Sequence, residues 1–250
     1  MDRLPDGYRA LVIGGNGGIG RAVVDRLLAD PRLGQATVVS RTSFQASSSR
    51  LEAIEGDVTT AQGRADLGRA LHGPAGQAVP LHLVVNAIGL LHDEASNIQP
   101  EKRLEDLDEA ALTTLFQVNA ATPALMLQTL LPHLKGSHPT TVVSLSARVG
   151  SISDNGLGGW YAYRASKAAH NMLMKTAAIE LKRLNPRSCV LSFHPGTTDS
   201  LLSRPFQARV PEHKLFTANF VADRLLTMVQ QRGPDDSGGF FDWANEPITW

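Results

Sequence analysis

Short apolar runs, rich in valine and isoleucine, recur along the chain and alternate with longer stretches in which apolar positions return every three or four residues. ALVIGG at 10–15 is the first run. GRAVVDRLLAD at 20–30 follows it, with Val23, Val24, Leu27 and Leu28 in a helical stripe, so the chain opens as strand, glycine turn, helix. ATVVSR (36–41), LEAIEGDV (51–58) and LHLVVNAIG (81–89) are further strands, with helical potential at 61–72 between the last two. The segment from Asp108 to Lys135 reads as one long helix carrying Leu112, Leu115, Phe116 and Asn119 on related faces, bent at Pro123. A strand TTVVSLS (140–146), a Gly/Ser-rich loop (150–159), a helix at 161–184, a strand SCVLSFHPG (188–196), a helix at 218–231 and a last strand GGFFDW complete the pattern.

The strands are largely apolar rather than alternating, as expected when helices cover both faces of a sheet. Strand–helix alternation predicts an α/β fold with a doubly wound parallel sheet and helices on both faces. No composition shift, linker or repeat divides residues 1–250, which are expected to form a single domain. Residues 197–217 are the expected irregular excursion, and an insertion of that length in a compact domain predicts a substrate lid.

At 250 residues, 42% hydrophobic and 19% charged, the chain has enough apolar material for one sizeable core. Its 24 basic and 24 acidic residues cancel. Without a basic run there is no electrostatic footprint for nucleic acid or an anionic membrane, and small molecules are the expected partners. Cys189 is the only cysteine, which excludes a disulfide or a cysteine metal cluster within the chain, and its apolar flanks predict a buried thiol in a strand. No metal site is expected. The polar N-terminus MDRLPDGYR lacks a signal-peptide core, and no run of apolar residues is judged long enough to span a membrane, so a cytoplasmic protein is expected.

Candidate chemistry begins with Tyr163 and Lys167. Four residues apart in WYAYRASKAAHNML, they share one face of a helix, a single turn apart. A phenol with an ordinary pKa of about 10 is a poor acid–base group at neutral pH unless a cation favours the phenolate. Two unit charges about 5 Å apart, at an effective dielectric near 20, interact by roughly 3 kcal/mol, or about two pKa units. The spacing therefore predicts a proton donor and acceptor.

After the first strand the chain reads Gly14-Gly15-Asn16-Gly17-Gly18-Ile19-Gly20 and enters a helix. Glycines there allow a tight turn and let backbone N–H groups approach a diphosphate, as in a Rossmann-type fold. Two registers fit: Gly15, Gly17 and Gly20 as G-x-G-x-x-G, or Gly14, Gly18 and Gly20 as G-x3-G-x-G. Arg21-Ala22 excludes a Walker A loop, which needs Lys-Ser/Thr. Where an NAD site usually holds an acid, about twenty residues on, the chain has Ser40-Arg41. An arginine fork suits a 2′-phosphate, so NADP(H) is favoured over NAD(H). Asn16 offers a further polar contact.

The glycine turn, Asn86-Ala87-Ile88-Gly89, Asn119, Tyr163-x3-Lys167 and Pro195-Gly196 occur in the order and approximate spacing of the short-chain dehydrogenase/reductase family, which the chain resembles over nearly its whole length. GSISDNGLGGWYAYRASKAAHNM and GGFFDW look like the branch containing C-factor and sniffer-type carbonyl reductases. The resemblance selects the second glycine register, with Gly14, Gly18 and Gly20, and Ile19 between them, at the diphosphate. It implies that Asp57 and Val58 flank the adenine and that Asn86, Ala87 and Gly89 run beside the ribose. It implies that Asn119 anchors a water in a proton relay to Lys167, and that Pro195, Gly196, Thr198 and Ser200 hold the nicotinamide carboxamide. His194 and Asp199 are assigned no chemistry.

One departure matters. The family pattern has two serines after the strand, the second catalytic; matched on Gly150, Ser146 takes the first place and Ala147 the second. Ser146 is preferred as the hydroxyl that polarises a substrate carbonyl, with Ser151 or Ser153 as alternatives.

The expectation is an NADP(H)-dependent oxidoreductase that moves a hydride between nicotinamide and a carbonyl or secondary-alcohol substrate. Tyr163 is its acid–base group; Lys167 lowers the Tyr163 pKa and bonds the nicotinamide ribose. By resemblance it forms a homodimer or homotetramer. The competing reading is a non-catalytic dinucleotide-binding protein in signalling or redox sensing, favoured by Ala147 and opposed by Tyr163, Lys167 and Asn119.

Overall fold

The computed structural model describes residues 3–45 and 47–250; Met1 and Asp2 of the polar opening segment lie outside the described residues. In chain order the strands are β1 Tyr8–Ile13, β2 Leu33–Ser40, β3 Leu51–Glu55, β4 Leu83–Asn86, β5 Thr140–Leu145, β6 Ser188–His194, β7 Thr197–Thr198, β8 Leu215–Phe216 and β9 Gly239–Asp242. The α-helices are α1 Gly18–Ala29, α2 Ala61–Ala70, α3 Glu109–Phe116, α4 Thr122–Leu134, α5 Tyr161–Leu184 and α6 Ala218–Gln231. Among the described residues, seven strands form one parallel sheet in the order β3-β2-β1-β4-β5-β6-β9, and β7 pairs with β8 in a short separate ribbon.

Strand parity explains the two-layer cover. Ala10 and Val12 of β1, Leu83 and Val85 of β4, and Cys189 and Leu191 of β6 pack with Val23, Leu27, Val221 and Leu225 of α1 and α6. The intervening Leu11, Ile13, Val84, Val142 and Val190 face the opposite layer, where Leu67, Met126, Leu130, Met174 and Leu181 come from α2, α4 and α5. The central strands β1, β4, β5 and β6 thus bury both faces, which is why their sequences do not alternate, while β3 at the sheet edge is partly exposed. Cys189 lies in this core, where burial pushes its thiol up to about 12.

Two expectations are corrected. The long helix does run between Asp108, whose side chain caps the Ala111 amide, and Lys135, but it changes register before Pro123 rather than simply bending there. Residues Gln117–Ala121 form a π turn in which the Thr122 amide reaches the Gln117 carbonyl five residues back. Pro123 has no N–H to offer Asn119, four residues earlier, and the looser turn accommodates that gap. The continuous helical stretch Glu109–Leu134 is also long and apolar enough to cross a membrane by length and composition, contrary to the expectation that no segment qualifies. Here its apolar face is core: Met126, Leu130 and Leu134 are fully buried against the sheet.

The sheet order reverses between β1 and β4, whose carboxyl ends sit side by side. In open α/β sheets a ligand crevice forms at such a switch point.

Candidate active site

The glycine turn leaves β1 at this point. Gly14 has φ of +86°, and a Cβ on it would press on Ile88 and the Ala87 backbone at 3.1–3.3 Å. A Cβ on Gly20 would fall 2.2 Å from the Gly14 carbonyl, so only glycine lets α1 start this close to the turn. At Gly18 a Cβ would sit 3.8–3.9 Å from Ala218, Asp199 and Ser200, so the first turn of α1 faces the start of the 197–217 segment. Ile19 packs on the α1/α6 core. The Asn16 amide nitrogen donates to the Thr42 carbonyl (3.0 Å), the Thr42 hydroxyl (2.8 Å) and the Ser43 carbonyl (3.2 Å), bracing the turn against the loop after β2. Ser40 is buried and donates to the Thr42 carbonyl at 2.8 Å, while Arg41 is exposed at the end of β2.

The Asp57 carboxylate accepts from both the amide (2.9 Å) and the hydroxyl (2.7 Å) of Thr59. Those hydrogen bonds, with the Arg41 charge nearby, hold it below the usual carboxylate range. Val58 is buried in the core layer of α2, α4 and α5. Asn86 turns its amide into the sheet to donate to the Ser144 hydroxyl at 2.8 Å, leaving the backbone of Ala87 to Gly89 to form the crevice edge. A Cβ on Gly89 would stand 3.6 Å from Lys167 Nζ and 3.7 Å from Asn119 Oδ1, which puts this strand end directly against the helix that carries Tyr163.

Tyr163 and Lys167 lie on the buried face of α5, as the four-residue spacing requires. Lys167 Nζ donates to the Leu145 carbonyl at 3.0 Å and stands 5.8 Å from the centre of the Tyr163 ring. The electrostatics differ from the expectation of a lowered phenol. Burial pushes the Tyr163 phenol up from its ordinary value and brings the Lys167 ammonium down to about 8. Desolvation disfavours the charged form of each side chain.

Ser146, expected to present its hydroxyl opposite Tyr163, turns that hydroxyl toward Asn171 instead. β5 pairing continues one residue beyond the strand, the Ser146 amide donating to the Phe193 carbonyl, and the buried Ser146 hydroxyl donates to Asn171 Oδ1 on α5 at 2.6 Å. Ala147 instead packs on the apolar cluster that contains Tyr163, Leu91, Leu115, Trp160, Leu202 and Phe206. The alternatives also point elsewhere: Ser153 donates to Thr249 Oγ1 and the Trp250 carbonyl, and Ser151 Oγ accepts from the Asp154 amide at 3.2 Å.

Asn119 is fully buried. Its side chain clasps Leu90, accepting from the Leu90 amide and donating to the Leu90 carbonyl, both at 2.8 Å, and donates to Ser166 Oγ at 3.0 Å. Gly196, at φ +72°, begins the 197–217 segment beside Phe216. Ser200 contacts Ser203, which in turn donates to the Thr198 carbonyl. Thr198 Oγ1 is buried with no hydrogen-bond partner. His194 is kept neutral by burial, at about 4, and Asp199 accepts from Gln207 at 3.0 Å.

Sequence reasoning missed two supports. Glu101, a buried acid from the loop before α3, places both carboxylate oxygens 3.3 Å from the Ala162 amide in the first turn of α5. Trp160, just before that helix, has φ of +52° and follows Gly158 and Gly159, both also left-handed; its amide donates to the Glu101 carbonyl at 2.5 Å. Its ring contacts those of Tyr163 (6.2 Å) and Phe206 (5.2 Å). The two glycines before a helix start were the available signal for Trp160; nothing in the sequence linked Glu101 to α5. The parity of β5 could have located Ser146, since Ser144 and Ser146 share the face toward α4 and α5. Among the described residues, no group of three histidine, cysteine, aspartate or glutamate side chains is arranged to hold a metal.

A dinucleotide fits what the crevice offers: the glycine-lined start of α1, where a Cβ on Gly18 would meet nothing nearer than 3.8 Å, and the unpartnered hydroxyl of Thr198. The model of a family described as short chain dehydrogenase matches residues 8–210. C-signal of Myxococcus xanthus is 31% identical over 148 residues, covering 59% of this chain and 83% of that protein. The 3-oxoacyl-[acyl-carrier-protein] reductase MabA of Mycobacterium tuberculosis is 28% identical over 206 residues, 82% of this chain and 75% of that protein. Among solved structures, the carbonyl reductase Sniffer of D. melanogaster superposes with a TM-score of 0.82 at 21% identity, covering 98% of this chain and 99% of that one. The NADPH-bound carbonyl reductase from chicken fatty liver superposes with a TM-score of 0.80 at 21% identity, covering 99% and 100%.

Proposed function

The chain belongs to the short-chain dehydrogenase family, and on that footing we propose that it is an NADP(H)-dependent oxidoreductase acting on a carbonyl or secondary alcohol, with Tyr163 exchanging the proton of the substrate oxygen. One observation carries this reading: Lys167 Nζ and Asn119 Oδ1 border Gly89 where β4 ends, so the Tyr163 helix abuts the crevice beside the glycine turn.

Gly14, Gly18, Ile19 and Gly20 would hold the diphosphate, Asp57 and Val58 the adenine, Ala87 and Gly89 the ribose, and Pro195, Gly196, Thr198 and Ser200 the carboxamide. Arg41 and Ser40 would meet the 2′-phosphate, and the lack of an acid at these two positions favours NADP(H). The NADPH-bound carbonyl reductase from chicken fatty liver, which shares this fold, supports the same choice. When bound, the nicotinamide supplies or takes up the hydride.

A phenol raised by burial keeps its proton at neutral pH, which suits Tyr163 to delivering it to an oxygen that is gaining negative charge. Lys167 remains largely protonated near neutrality and stabilises the phenolate left behind. We assign Asn119 the positioning of Leu90 and Ser166 around this pair. Ala147, Trp160, Leu202 and Phe206 give the substrate side an apolar wall, so the carbonyl is expected on an apolar frame, under the 197–217 segment as a lid. Exposed Phe116, Met172 and Ile179 on α3 and α5 support association into a homodimer or homotetramer. We place the protein in the cytoplasm.

Ala147 favours a second reading, a dinucleotide-binding protein without turnover, because the site then lacks one polarising hydroxyl. NADPH oxidation against a panel of apolar aldehydes, ketones and quinones separates the two. Turnover that vanishes in Tyr163→Phe while NADPH binding persists supports the enzyme; NADPH binding with no turnover of any compound supports the alternative.

A further inference from the structure

The mechanism leaves one buried titratable side chain of α5 unused. His170 lies three residues beyond Lys167 and is completely buried. Its Nδ1 stands 3.0 Å from the Asn119 carbonyl. A carbonyl oxygen can only accept, so Nδ1 carries the ring proton. That carbonyl is the one Pro123 cannot serve in the α register, because proline has no N–H. The π turn at Gln117–Ala121 therefore exposes an acceptor toward α5, and His170 supplies the donor. His170 Nε2, in contrast, is buried without a partner. A packing residue alone would carry no such polar cost.

We propose that His170 is a positioning residue, a bolt between α5 and the π turn that sets Asn119 and, through it, the Leu90 backbone against Lys167. The chain of contacts is continuous: His170 to the Asn119 main chain, the Asn119 side chain to both backbone groups of Leu90 and to Ser166, and Ser166 to the Tyr163 carbonyl at 2.9 Å. Gly89, next to Leu90, is the residue that faces Lys167 Nζ. Losing the donor would free the Asn119 carbonyl and loosen the crevice edge, while the glycine turn that holds the diphosphate stays intact.

This inference rests on the proposed role of Tyr163, and its test keeps the two apart. Asn at 170 can place an amide donor where Nδ1 was, whereas Leu fills the space without one. His170→Leu is expected to lower kcat roughly 10–100-fold with the Kd for NADPH changed less than about threefold, and His170→Asn to recover most of the loss. Equal kcat in the two variants, or wild-type kcat in His170→Leu, overturns the proposal while an inactive Tyr163→Phe leaves the site reading standing. Full activity in Tyr163→Phe overturns the site reading itself. Should the variants fail to fold, nitrogen NMR of the wild-type protein at neutral pH decides: the Nδ1–H tautomer at His170 is expected, and the Nε2–H tautomer overturns the proposal.

Discussion

The Glu101 carboxylate sits at the first turn of α5 with both oxygens 3.3 Å from the Ala162 amide, one residue before Tyr163. A negative group there satisfies an otherwise unpaired helix N–H and complements the positive end of the helix dipole. The main-chain carbonyl of the same residue receives the Trp160 amide, so Glu101 holds both sides of the helix start. Glu101→Ala is expected to cost about 1–2 kcal/mol of stability, read as a lowered urea midpoint, and to reduce kcat because the Tyr163 turn loosens. A variant with wild-type midpoint and rate would remove Glu101 from this role.

Ala147 and Ser146 make a paired prediction. Ala147→Ser restores a hydroxyl on the Tyr163 side and is expected to raise kcat by about tenfold, a fraction of what one oxyanion-stabilising donor supplies elsewhere. Ser146→Ala removes the donor to Asn171 and is expected to cost about 1 kcal/mol of stability with little change in kcat. The reverse outcome, with Ser146→Ala inactive and Ala147→Ser neutral, would return the polarising role to Ser146.

Arg41 sets the cofactor preference in our reading. Arg41→Ala is expected to raise the KM for NADPH about 10–100-fold, the loss of one charged hydrogen-bonded contact, and to leave the KM for NADH unchanged. Equal effects on both cofactors would show that Arg41 does not meet a 2′-phosphate.

Stability should fall in mild acid. His170 and His194 are held neutral by burial, at about 3 and about 4, whereas in the unfolded chain they titrate near the ordinary value of 6.5. The unfolded state then binds more protons between those limits, so the stabilisation is complete above pH 6.5 and is lost as pH drops toward 4, by about 1.4 kcal/mol per pH unit for each histidine. Urea unfolding measured from pH 7 to pH 5 checks this; a flat profile contradicts it.

What was legible from sequence followed the strength of each local signal. The bounds of α5 and α6 match the helical segments read at 161–184 and 218–231, and the strands were read from their apolar runs. Tyr163 and Lys167 were readable because both belong to one helix, where spacing fixes a shared face. Burial was not readable from spacing, and it reverses the expected direction for the Tyr163 phenol. Glu101 escaped because its partner amide is 61 positions away in a loop without periodicity. The direction of the Ser146 hydroxyl depends on strand parity: Ser144, two residues earlier on the same face, pairs with Asn86.

The looser turn between α3 and α4 also constrains how the chain can change length. A π turn holds more chain per revolution than an α turn, and each residue of a helix advances about 100°. Deleting a single position between 117 and 121 would let regular winding resume, yet would swing Asn119 away from Leu90 or carry Met126 and Leu130 off the sheet. Relatives that trim residues here must rebuild one side of the helix or the other.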